Sequence, residues 1–487
     1  MLHFKPRIFY RATVCACLAL FFLWRWVILH PVQDPLGHPT FSDIREYERG
    51  LPQHSRQAVF TKPRRRYLYL PGEASGSGWN NAFQAALLNT HLAYLTNRGY
   101  VFRDFVASAH PPFPDTLPNG DRRPLSIPMN AFTSGPTGGG QLGDDLDEQL
   151  TPRAISKEWW NKVCPANEVV EINLDETLKE LNITDDTSGL DRLTRWVDKF
   201  GKMEAPCVTI PNGEPFDWMF MGNPKILELW PSYGISPVLT QFKWSPLIAR
   251  ALSRNYHLLT LDPHPLPPAL ISSYTPPRKE IPDLGSTSAP YPISSFSPYP
   301  AASSPITGLL ALHVRRGDYA EHCRNLASWG SGYNAWNTFG SPDVRAAHPT
   351  LPALPDYLDV PDGMSHEDAA YAHCWPTAES IVQRARVVRK DSVSSGTQLR
   401  AVYIATNGEP HWVADLVRQF KADGWELVST SLDMKLTRDE MAVAQAVDMS
   451  VLVAAETFIG VGFSSLSSNV VQIRLAGGRK PETTHFW

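Results

Sequence analysis

Residues 308–323 read GLLALHVRRGDYAEHC. A nearly continuous apolar run ends in Arg315, Arg316, Gly317 and Asp318. Such runs suit strands buried on both faces of a parallel sheet, and in open α/β sheets ligands gather beyond the carboxyl ends of strands. The stretch therefore predicts a strand that delivers charge to a cleft. If the strand runs to Arg315, the side-chain period of two sets His313 and Arg315 on one face and Val314 and Arg316 on the other. One arginine, Arg315, can then fork two donors onto a phosphate, while Gly317 lets the backbone approach and Asp318 orients an arginine. The same residues also accommodate a plain strand-end ion pair between Arg316 and Asp318. An integrin-type reading of Arg-Gly-Asp has only a lone tripeptide behind it.

Working outward, AVYIAT (401–406), WELVST (425–430) and TFIGVG (457–462) are further short apolar runs, separated by helical patterns. Upstream, RRRYLYLPGEASGSGWNNAF (64–83) reads as a strand, a glycine-rich loop and the start of a long amphipathic helix that leads to a second strand at 100–102. Both halves are thus α/β. Residues 107–155, rich in Pro, Gly and Asp, read as an extended loop. Residues 262–306, dominated by Pro and Ser, read as a linker or insertion. The expected organisation is an N-terminal α/β lobe at 63–261 and a C-terminal α/β lobe at 307–487, with a cleft between them.

The chain has 487 residues, 43% of them hydrophobic, enough for large cores. Its 45 Lys and Arg nearly balance 49 Asp and Glu, which gives no support to a broad nucleic-acid-binding surface. Residues 12–29 are almost all apolar and follow Lys5, Arg7 and Arg11. They predict a signal anchor with Arg25 snorkelling near one end, a cytoplasmic tail at 1–11, a polar stem at 30–62 and a lumenal body. A cleaved signal peptide lacks its small-x-small site here. The expected address is the endoplasmic reticulum or Golgi membrane, single-pass and type II. With Cys15 and Cys17 in the anchor, four cysteines remain for an oxidising lumen. Of three connectivities, Cys164 with Cys207 and Cys323 with Cys374 keeps each pair within one lobe. Asn182 opens a glycosylation sequon.

Two further stretches can carry chemistry. Gly72, Gly76 and Gly78 form a loop able to approach a diphosphate, without the Gly-Lys-Ser/Thr ending of a nucleotide hydrolase. Glu73 in that loop can act as a general base if it faces the cleft, and a structural turn is the alternative. In AVAQAVDMSVLVAAETFIGVGFSSLSSNVV (442–471), Asp448 stands in an apolar helix. Its carboxylate can accept from the N1–H and N2–H2 edge of a guanine. Ser464 and Ser465 precede a helix expected to start near Asn469, an anion site or a simple cap. No Cys and His spacing suits zinc, and the acidic run at 143–148 reads as solvated.

HVRRGD, PGE with a following NN, and FIGVGFSSLSSNVV, in that order, resemble the three motifs of the GDP-fucose protein O-fucosyltransferases and their relatives. The resemblance implies a GT-B-like enzyme of two Rossmann-type lobes. That enzyme is inverting and metal-independent, and moves fucose from GDP-fucose to a hydroxyl of a protein or glycan. By that resemblance Arg315 grips the β-phosphate and stabilises the leaving GDP, and Glu73 is the base on the acceptor hydroxyl. Asp448 reads the guanine, Ser464, Ser465 and Leu466 line the phosphate or base site, and His313 helps hold the nucleotide. Gly72, Asn80, Asn81 and Gly317 complete the donor-binding set. No cofactor and no metal are expected. A guanidinium with helix N-terminal amides can stabilise a departing diphosphate. Two departures stand out: the insertion ASGSG separates Glu73 from the asparagines, and Asn407 stands where the relatives commonly carry aspartate. The displaced glutamate keeps two rivals open, a non-catalytic lectin-like or adaptor descendant and a transferase for another nucleotide sugar.

Overall fold

The computed structural model describes residues 39–55, 65–74, 76–106, 116–117, 119–143, 152–261, 305–394 and 396–487. The expected anchor at 12–29, most of the acidic run and nearly all of the Pro/Ser segment lie outside them. No helix among the described residues is long and apolar enough to cross a membrane.

Two five-stranded sheets organise the chain, and every neighbouring pair of strands in them is parallel. The first holds β1 (Tyr67–Tyr69), β2 (Gly99–Phe102), β3 (Ile155–Ser156), β4 (Val169–Glu171) and β5 (Cys207–Thr209), in the order β3-β2-β1-β5-β4. The second holds β6 (Ile306–Val314), β7 (Ala401–Thr406), β8 (Leu427–Thr430), β9 (Ala455–Gly460) and β10 (Thr484–Phe486), in the order β8-β7-β6-β9-β10. In each sheet the chain starts at the centre, winds to one edge and then reverses. The reversal opens a crevice at the carboxyl ends, between β1 and β5 in one lobe and between β6 and β9 in the other. The architecture is α/β with parallel sheets, as the apolar runs predict.

The long helix α1 (Trp79–Leu95) departs from the amphipathic expectation. It is buried along nearly its whole length, because its own sheet covers one side and helix α2 (Ser465–Ala476) of the other lobe covers the second. The lobes share one hydrophobic core. Across the junction Trp230 packs on Trp336 and Phe339 with ring centroids 5.4 and 5.2 Å apart, and Tyr233 stacks on Trp336 at 5.4 Å. Tyr233 donates its hydroxyl to Gln472 at 3.0 Å. The expected cleft is thus confined to the margins of a fused interface.

Part of the expected stem is docked on this body. Residues Phe41–Arg49 form a helix capped reciprocally by Thr40 and Asp43. It buries Ile44, pairs Arg45 with Asp104, and gives the Phe41 N–H to Asp439 of the C-terminal lobe at 2.9 Å. The disulfides join Cys164 to Cys207 and Cys323 to Cys374, each inside one lobe. Asn182 is exposed, in a left-handed conformation with φ 52° just past a helix end.

Candidate functional site

Strand β6 stops at Val314, one residue short of the expected end, so the loop rather than strand alternation aims the two arginines. Gly317 sets that loop with φ +64°, and a Cβ there would meet Asn407 Nδ2 at 3.0 Å. Asn407 also accepts the Arg316 N–H at 2.7 Å, so the residue in the aspartate's place braces the loop. Arg315 is half-buried. It pairs with Asp318 at 3.2 Å, lies 5.4 Å from the Tyr319 ring, and its Nε is buried without a partner. Arg316 is buried between Trp375 and Trp412, its guanidinium 4.3 and 4.4 Å from their rings, and donates to the carbonyls of Arg315 and Pro376. The expected Arg316–Asp318 pair is therefore corrected: Asp318 holds Arg315, because two indoles remove Arg316 from the surface. The partly exposed arginine at the crevice is Arg315.

His313 is buried, with Nδ1 2.9 Å from Ser467 Oγ. Burial, with the Arg315 charge near it, lowers its ring to about 3, so it is a neutral positioning group. Ser467 Oγ in turn accepts the Val461 N–H at 3.0 Å, tying the end of β6 to the loop after β9. Helix α2 begins at Ser465, four residues before the expected Asn469, with Ser464 as its cap accepting from Leu466 N at 3.3 Å. Ser464 is thus the cap and Ser465 the first helical residue, rather than both lying in a preceding loop. The N-terminal pole of α2 stands at the crevice beside β6.

Asp448 lies on helix α3 (Ala444–Ala454) and accepts from Tyr403 Oη at 2.5 Å and from Ser431 Oγ at 3.0 Å. Burial pushes its carboxyl up to about 6, against the downward pull of those two hydrogen bonds. Ser431 Oγ also receives the Thr406 N–H at 3.0 Å. Tyr319 Oη, beneath Arg315, donates to the Phe463 carbonyl at 3.2 Å. A row of polar groups therefore runs along the carboxyl ends of β8, β7, β6 and β9 in two hydrogen-bonded sets, one with the Asp448 carboxylate and one with Arg315 and the helix N-terminus. Tyr403 and Ser431 escaped the sequence reading, since nothing local to either marks a partner for Asp448.

From the other lobe, Asn80 reaches this region: its Nδ2 donates to Gln445 of α3 at 3.2 Å and its carbonyl accepts from Asn469 of α2 at 2.8 Å. Its Oδ1 is buried without a partner. Asn81 is exposed beside it. Gly72 packs against the 211–214 turn, where a Cβ would approach Gly213 N to 2.4 Å.

Glu73 is placed differently. It is buried, accepts from Tyr100 Oη at 2.7 Å and lines a cavity of about 240 Å³ whose residues, among them Trp79, Phe83, Arg103 and Met129, all belong to the N-terminal lobe. Glu214, from the turn after β5, completes a carboxylate pair at the switch point of that sheet and accepts from Ala74 N and Asn89 Nδ2. Burial first, then the mutual repulsion, pushes Glu73 up to about 8, and burial pushes Glu214 to about 7. Sequence reasoning missed Glu214, which lies far along the chain in an unremarkable turn. Among the described residues no three of His, Cys, Asp and Glu cluster as metal ligands.

Neither a protein-family model nor a curated protein matches the chain. Solved fucosyltransferase structures are similar to it. POFUT1 in complex with GDP is 13% identical over 87% of this chain and 98% of its own, with a TM-score of 0.46. POFUT1 in complex with GDP-fucose is 12% identical over 88% and 99%, with a TM-score of 0.45. NodZ alpha-1,6-fucosyltransferase soaked with GDP-fucose is 12% identical over 84% and 92%, with a TM-score of 0.31. At these identities and scores the likeness carries no argument about the reaction. The residues of the row must carry it.

Proposed function

We propose that the chain is a GT-B-like glycosyltransferase that moves fucose from GDP-fucose to a hydroxyl of a protein or glycan, with inversion and without a metal. We place it in the endoplasmic reticulum or Golgi membrane, held by residues 12–29 with the body lumenal. The observation that carries the donor is the row with Asp448 at one end and Arg315 with the α2 N-terminus at the other. A guanine offers two adjacent N–H donors to a carboxylate, which adenine cannot, and a diphosphate seeks a guanidinium and free helix amides. The order of HVRRGD and FIGVGFSS supports fucose as the sugar.

In the reaction the acceptor oxygen bonds to the sugar C1 as the bond from C1 to the β-phosphate oxygen breaks. GDP leaves with the bonding pair, and the hydroxyl proton passes to a base. Arg315 and the first-turn amides of α2 meet the charge that grows on the leaving phosphate. His313, neutral, fixes the loop geometry. Glu73, its carboxyl raised toward neutral pH, has the basicity a general base needs. Its enclosure in the N-terminal lobe favours a second reading, a descendant that binds the donor without transferring it.

One experiment separates them. The purified body is incubated with several nucleotide sugars, with and without EDTA, and nucleotide release is measured. Release of GDP from GDP-fucose alone, surviving EDTA and lost in Arg315→Ala, supports the transferase. GDP binding without release from any donor and acceptor selects the second reading. Near-normal turnover by a folded Arg315→Ala protein overturns the donor assignment.

A further inference from the structure

Between the lobes, beside the strand-end row, lies a larger cavity of about 640 Å³. Asn81 and Gln84 of α1 line one side. His322 and Leu326, one turn apart on helix α4 (Tyr319–Ser328), line the other, with Trp329 just past its end. Phe463, which precedes the capping Ser464, brings the cavity up to the row. None of its lining residues is Asp, Glu, Lys or Arg. Burial, and next the Arg315 charge, lower the His322 ring below its ordinary value.

Two features point to a ligand. Trp218 and Trp329, one from each lobe, line this same cavity while 71% and 70% exposed. The helical turn that carries Trp218 is capped by Asp217, whose side chain accepts the Phe220 N–H at 2.9 Å, so the turn that presents the indole is braced. Inside, Gln84 is 3% exposed and its Oε1 has no hydrogen-bond partner. A buried acceptor left without a partner destabilises the fold, and a ligand O–H removes that cost. A pyranose offers both halves of what is missing, a C–H face that lies flat on an indole and hydroxyls for an amide oxygen. No lining residue supplies a countercharge for an anionic glycan or phosphopeptide. A purely apolar peptide side chain would leave Gln84 unpaired.

We propose that this cavity binds an uncharged oligosaccharide, seated on Trp218 and Trp329 with a hydroxyl donating to Gln84. That the sugar is the acceptor of the transfer rests on the function proposed above; that it binds does not.

The test uses the full chain. Maltotriose, cellotriose, mannotriose and N-acetyllactosamine are titrated against tryptophan fluorescence, with sialylated N-acetyllactosamine and an apolar decapeptide alongside, and GDP binding is measured separately by calorimetry. At least one neutral sugar should saturate the signal. Trp218→Ala and Trp329→Ala should each weaken it about 10-fold, equivalent to about 1.4 kcal/mol, with GDP affinity unchanged. Both indoles are exposed, so these variants keep the fold; Gln84→Leu is the internal variant, read only if its melting temperature holds. Binding by none of the four sugars, equal binding by both tryptophan variants, or preference for the sialylated sugar or the peptide overturns the proposal. A wild type that binds the sugar but not GDP supports the cavity and overturns the donor reading. One that binds GDP and no sugar overturns the cavity alone.

Discussion

Arg315 and Arg316 are adjacent in sequence and should fail in opposite ways. Arg316 lies between two indoles at 4.3 and 4.4 Å and donates to two carbonyls. Each desolvated cation–π contact is worth about 1–2 kcal/mol, and a charge-assisted hydrogen bond about 1.5–3 kcal/mol. In Arg316→Lys the ammonium keeps one carbonyl and one ring face, so the loss is about 2.5–5 kcal/mol of stability. Arg315, by contrast, holds the Asp318 pair, with side chains 31% and 41% exposed, worth about 0.2–1 kcal/mol, and a contact with the Tyr319 ring at 5.4 Å, worth about 0.5–1 kcal/mol. Arg315→Ala should therefore cost under about 2 kcal/mol of stability. It also removes the guanidinium proposed to hold the phosphate, and should weaken GDP about 10- to 150-fold, the equivalent of about 1.5–3 kcal/mol. Urea midpoints and calorimetric GDP titrations of both variants read the two effects separately. Equal destabilisation of the two, or wild-type GDP affinity in a folded Arg315→Ala protein, refutes this division of labour.

Glu73 and Glu214 carry raised carboxyls, so their neutral forms favour the fold. That contribution is whole below the ordinary carboxylate value and is lost as pH rises through about 7 and 8. Glu73→Gln should flatten the fall of the urea midpoint between pH 5 and 9, and an unchanged slope would count against a buried acid there. Asp448→Asn should weaken GDP by about 10-fold or more through loss of a charge-assisted acceptor. Wild-type GDP affinity should fall as pH drops through about 6, where Asp448 takes up its proton; a flat calorimetric profile from pH 8 to 5 would contradict this. Cys323→Ser with Cys374→Ser opens a closed loop spanning a separation of 51 residues and should cost about 2–4 kcal/mol, read as a lower urea midpoint.

The strands at the heart of the C-terminal sheet were legible because burial on both faces writes itself as continuous apolar runs, and charge at their ends then marks the crevice. The nearest-neighbour cysteine pairs are those joined in space. What escaped was set by distant partners. Arg316 reads as a surface cation until Trp375 and Trp412 close on it. Glu73 reads as a loop acid until Tyr100 and Glu214 enclose it. Helix α1 reads as amphipathic until a helix of the other lobe covers its second side. The start of α2 was placed late because serines suit loops and first helical turns equally, and only the Ser464 cap separates the two.

The aromatic junction of Trp230, Tyr233, Trp336 and Phe339 also bears on how the molecule holds together as an object. Lobes that share one hydrophobic core couple their unfolding, so the chain should lose its structure in a single transition. Its continuity then runs through space more than along the backbone. A protease that nicks the chain between residues 262 and 304 should yield two fragments that stay together on a sizing column, a complementing pair that parts only when the whole unfolds.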